Sequence, residues 1–106
     1  MSEKAFKIIE KWKRYIPPTV PKGDVETVVE YFFPNSYRYH QKTSHWLIIA
    51  DEDLRRAGQA GYDTGTTEGH LSLSLVSGKE VKQYLVQNLL SAIKIKQLMV
   101  EEKKNR

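Results

Sequence analysis

The segment from His70 to Val76 alternates polar and apolar residues over six positions. A period of two puts Leu71, Leu73 and Leu75 on one side of a strand and Ser72 and Ser74 on the other. A slip of one residue would exchange the two faces, so covering the leucines sets the register. The chain must therefore build a sheet with one face under apolar cover and the other carrying hydroxyls. Such a sheet needs partner strands, and the stretch from Tyr37 to Ala50 supplies two. It reads as strands over 36–41 and 45–50 joined by a polar turn at Gln41, Lys42 and Thr43, with aromatic and β-branched residues in both arms.

The cover comes from helices. Residues 3–16 place Ala5, Ile8, Ile9, Trp12 and Ile16 on one face and lysines on the other, with Ser2 as N-cap. Pro17, Pro18 and Pro21 end that helix in an extended connector. Asp24 reads as the N-cap of a second helix whose stripe is Val25, Val28, Val29 and Phe32, stopped by Pro34 and Asn35. Ser77 and Glu80 have capping-box spacing, which predicts a last helix along Val81, Leu85, Leu89, Ala92 and Ile93, extended by Leu98 and Met99. The segment 51–69 is polar and interrupted by four glycines, so a mobile loop is expected there, with at most a helical turn over 51–57. The fold expected is α+β, in the order α-β-β-β-α: a three-stranded antiparallel sheet with helices on one face, plus an extra N-terminal helix. It divides into an N-terminal helix and Pro-rich connector (1–22), the main domain (23–98) and a charged tail (99–106), of which 101–106 is expected to fray.

At 106 residues the chain suffices for one modest core. It has no cysteine, which removes disulfides, thiolate nucleophiles and cysteine zinc sites. No apolar run reaches the roughly 20 residues that span a bilayer, and the first residues lack a signal-peptide core. The expectation is a cytoplasmic location with no membrane partner. The formal charge is +4 and the pI about 9.3. Five of the thirteen carboxylates lie in 51–69, so the remaining surface is more basic than the total.

His45 opens the second strand of the hairpin, in a segment that also holds Arg38, His40 and Lys42. An imidazole beside cations can hold a phosphate and move a proton: it can take the proton of a ribose 2′-hydroxyl and yield a cyclic phosphate without a metal. Arg38 or Lys42 would offset the charge gained by the phosphorane. His40 can face His45 across the hairpin, and His70 can approach it if the third strand pairs with the second. The three histidines match no metal-ligand spacing, so neither metal nor cofactor is expected. Asp51, Glu52 and Asp53 lack the second acidic cluster of a two-metal nuclease. Tyr37, Tyr39 and Trp46 can stack on unpaired bases from an open sheet face. Lys79 and Lys82, placed in the first turns of the last helix, can reach phosphate oxygens.

Two stretches carry a resemblance. Thr43-Ser44-His45-Trp46-Leu47-Ile48 is similar to the Gly-Ser-His motif of the HicA (YcfA-like) toxins. Leu73 to Lys82 resembles that family's strand-to-helix passage. From about Gly23 to Ile95 the chain thus resembles a family with a double-stranded-RNA-binding-domain-like (dsRBD-like) fold. The resemblance implies a toxin–antitoxin system: an endoribonuclease that cleaves mRNA and is neutralised by a HicB-like antitoxin, with His45 as the catalytic histidine. Arg38, Lys42, Ser44, Lys79 and Lys82 are then the expected RNA contacts. Thr43 stands in place of the motif glycine, Val76 where a second histidine is common, and Ser74 where proline is common. Those departures support an alternative, a non-catalytic RNA- or protein-binding module on the same scaffold. A third reading is an interaction domain whose leading helix and acidic segment meet a partner protein.

Overall fold

The computed structural model describes residues 3–40 and 45–104. The expected cap at Ser2 and the turn at Gln41, Lys42 and Thr43 lie outside the described residues. Helix α1 (Glu3–Arg14) buries Ala5, Ile8, Ile9 and Trp12. It stops short of the prolines, and the next three residues that pair, Thr19–Pro21, form a strand, β1. The connector is therefore part of the fold.

Helix α2 (Lys22–Phe32) begins earlier than its sequence signals suggest, with Pro21 and not Asp24 at the N-cap position. The Thr27 hydroxyl donates to the Gly23 carbonyl at 2.9 Å, which places both residues inside the helix. Asp24 instead lies in the first turn, where a negative charge favours the helix dipole. The ring expected in the core at Phe32 is replaced by Phe33, which is fully buried. Phe33 leaves helical geometry at the C-cap while its N–H still bonds the Val29 carbonyl. Phe32 is half-buried and joins Phe6 and Tyr31 in an edge-to-face cluster between α1 and α2.

Three strands make the expected antiparallel sheet, in the order β2-β3-β4: β2 (Tyr37–Tyr39), β3 (His45–Ala50) and β4 (His70–Ser74). Leu47 pairs with Leu73 and Ile49 with Leu71, and all four are buried. Ile48 pairs with Arg38 on one side and Ser72 on the other, giving a row on the opposite face. The register slips between His45 and Leu47, so Trp46 is an extra residue opposite β4.

The capping box at Ser77 and Glu80 is not used as one. Ser77 and Gly78 both have positive φ, 55° and 70°, and the Lys79 N–H bonds the Val76 carbonyl at 3.1 Å. That geometry is a type I′ turn. It leads into β5 (Glu80–Lys82), which pairs with β1 in a second, two-stranded sheet: Thr19 faces Lys82, Val20 faces Val81 and Pro21 faces Glu80. Helix α4 (Gln83–Lys104) starts only then. Its Leu85, Val86, Leu89, Ala92 and Ile93 are buried, as the stripe requires. Met99 is half-buried against the core, Leu98 is exposed, and the helix runs on through the segment expected to fray.

The expected mobile loop is also structured. Asp51 accepts a hydrogen bond from the Leu54 amide and caps helix α3 (Glu52–Gln59), which buries Leu54 and Ala57. The following loop packs closely. Thr64 is buried, and its hydroxyl contacts that of Thr66 at 2.6 Å. A Cβ at Gly69, where φ is +82°, would stand 2.5 Å from the Asp51 carbonyl oxygen.

Candidate functional site

The face of the three-stranded sheet turned away from the helices carries the candidate chemistry. Alternation puts Leu47, Ile49, Leu71 and Leu73 under the helices, and Ile48, Ser72 and Ser74 on the other face at intermediate exposure. His45 pairs with Ser74, so the bulge brings it onto that open face, where it is exposed. Arg38 belongs to the same face, paired with Ile48. Alternation from Arg38 carries His40 there too. Its backbone N–H donates to the Trp46 carbonyl at 2.9 Å, one residue from His45. The register thus puts His45 and Ser74 opposite each other at the hairpin end, with the His40 backbone beside them and Arg38 further along the same face.

His70 does not join them. It pairs with Ala50, at the far end of β3, about 16 Å from His45 along the strand. Lys42 and Ser44 lie outside the described residues. Lys79 and Lys82 are not in the first turns of the last helix. The turn at Ser77 and Gly78 diverts the chain, so Lys79 follows the tip of a hairpin and Lys82 lies on β5 opposite Thr19. Both are exposed. The Val76–Glu80 bridge that closes this hairpin continues from the Ser74 end of β4, so Lys79 borders the His45 end of the sheet.

The aromatic residues share a face, but it is the one toward the helices. Tyr37 and Tyr39 rings meet edge to face at 5.7 Å. The bulge turns Trp46 out of alternation and toward Tyr39, at 5.9 Å. The Tyr39 hydroxyl donates to Glu30 of α2 at 2.9 Å. Burial, then that hydrogen bond, then the nearby charges of Glu26 and Glu30 hold the phenol well above its ordinary value. Among the described residues the open face carries no Phe, Tyr or Trp ring on which a base could stack.

A second charged cluster closes the other side of the sheet. Lys96 Nζ lies 2.8 Å from both Asp51 Oδ2 and Asp53 Oδ2, tying α4 to the start of α3. Burial disfavours the ammonium, but the hydrogen bonds and charges of the two aspartates outweigh it and raise the Lys96 pKa. The Asp51–Asp53 pair is thus bridged by a lysine far along the chain, which nothing local in the sequence announced. Among the described residues no group of three or more His, Cys, Asp or Glu side chains converges to hold a metal, and no helix is long and apolar enough to cross a membrane. Compared with protein-family models, curated proteins and solved structures, the chain matches none.

Proposed function

We propose that the chain is a cytoplasmic RNA-binding protein of the HicA toxin kind, acting as a metal-independent endoribonuclease on mRNA under the control of a HicB-like antitoxin. The observation that carries this reading is the cross-strand pairing of His45 with Ser74, with Arg38 on the same face of the sheet and the His40 backbone bonded beside them to Trp46. His45 takes the proton of a 2′-hydroxyl, and the 2′-oxygen attacks the adjacent phosphorus. Arg38 offsets the charge on the phosphorane, and the bond to the 5′-oxygen breaks. His40 in its imidazolium form donates the proton that the leaving oxygen needs. The products are a 2′,3′-cyclic phosphate and a free 5′-hydroxyl, with no net gain or loss of protons. With no Phe, Tyr or Trp ring among the described residues of the open face, binding rests on phosphate and hydroxyl contacts, and Lys79 adds to them.

Cleavage of a mixed mRNA substrate in EDTA tests this reading. The wild type is expected to cleave, and His45→Ala to lose about 10²–10⁴-fold in rate while retaining RNA binding. Binding of RNA without cleavage by either protein would overturn the catalytic reading in favour of the binding module. Val76 itself favours that second reading, since it stands where the toxin pattern often has a second histidine.

A further inference from the structure

A cavity of about 820 Å³ lies on the helix side, between the C-terminal half of α1 and the start and middle of α4. Along α4 it runs from Gln83 past Gln87, Leu90 and Lys94 to Gln97. At 1.5 Å per residue that is about 21 Å of helix, the span of an extended peptide of about six residues. The opposite wall is Trp12, Lys13, Arg14, Tyr15 and Ile16.

The walls are held in place. The Gln83 side-chain amide donates to the Ile16 carbonyl, and the Gln83 backbone N–H to the Pro18 carbonyl at 3.0 Å. The end of α1 is thereby fixed to the start of α4 before any ligand arrives. Leu90 is half-exposed in the groove and Tyr15 stands 65% exposed at its edge.

The charge is one-sided. Lys13, Arg14 and Lys94 line the groove, and no carboxylate among the described residues does. Lys13 leans on Glu10 at 3.4 Å, an exposed pair of little strength. Arg14 and Lys94 have no carboxylate within salt-bridge distance among the described residues. The rest of the lining is rich in side-chain amides, Gln87, Asn88 and Gln97, which can donate to and accept from a peptide backbone. Leu90 and Tyr15 add an apolar contact that a phosphate backbone would not use.

We infer that this groove is a docking site for an acidic peptide segment of a partner protein, with carboxylates on Arg14 and Lys94 and an apolar side chain against Leu90 and Tyr15. The site is separate from the open sheet face, so a partner held here leaves His45 accessible. The inference does not depend on the ribonuclease reading.

The test uses the isotope-labelled full chain and three probes: a peptide of about 12 residues built from Glu and Leu, its Lys counterpart, and an oligouridine of about 12 nucleotides. The acidic peptide is expected to shift the side-chain amide resonances of Gln87 and Gln97 and the indole of Trp12. Arg14→Glu and Lys94→Glu, both at exposed positions, should each weaken it about tenfold or more, with unchanged chemical shifts in the core. The Lys peptide should leave the groove unshifted. The inference is overturned if the acidic peptide leaves these resonances in place, if charge reversal does not weaken it, or if oligouridine shifts the same resonances and displaces it. RNA shifts confined to the open face, around His45 and Ser72, would leave the groove assigned to protein.

Discussion

Lys96 holds together two carboxylates that would otherwise face each other with little water between them. Asp51 and Asp53 side chains are 2% and 10% exposed, and Lys96 itself 18%. Lys96→Met keeps the length of the side chain and removes its charge, and should cost about 3–5 kcal/mol in urea unfolding. The pH dependence follows from the same contact. Lys96 and Tyr39 both have pKa values raised by the fold. Their stabilising contribution is full below the unfolded values of about 10 and is lost as pH climbs through the folded ones. Stability measured from pH 8 upward should therefore begin to fall near pH 10. Tyr39→Phe and Lys96→Met should each flatten that fall. At this scale the sequence was readable where chemistry and position coincide, as in His45 at the opening of a strand. It was unreadable where a partner is distant: Asp51 read as part of a polar, mobile segment because Lys96 is brought to it only by the packing of α4 on α3.

The turn at Ser77 and Gly78 shows how an element can be misread from a correct local signal. Ser77 and Glu80 have the spacing of a helix start, but Ser-Gly directly after an alternating strand is also a turn dipeptide. The turn prevails because Glu80–Lys82 can then pair with Thr19–Pro21, burying Val20 and Val81 together. These strands have three residues each, too few for any periodicity to register, so the second sheet could not be read in advance. The alternating leucines of β4 put one face of its sheet in the core, and that sheet was legible. A serine in the left-handed region is strained relative to asparagine. Ser77→Asn should therefore stabilise the protein by about 0.5–1 kcal/mol, seen as a higher urea midpoint. At a helix N-cap the same exchange would be close to neutral.

In the molecule as a whole, the leading segment is structural and not an appendage. Ile8, Ile9, Trp12, Ile16 and Val20 are all buried. At about 1.5–3 kcal/mol for each buried side chain, their removal approaches the whole stability of a domain this size, about 5–15 kcal/mol. A truncated chain beginning at Gly23 should lack the sharp amide resonances and cooperative thermal transition of the full chain. The ribbon that secures this segment also bears on how the protein is formed. Val20 meets Val81 about 60 residues later in the chain, and Gln83 reaches back to Ile16. Contacts across so long a loop are entropically slow to close. During synthesis α1 precedes β5 and α4, yet its final seat does not exist until β5 and the first turn of α4 have followed. A segment made early is thus locked late, and the folding rate should be set by the meeting of these two distant stretches.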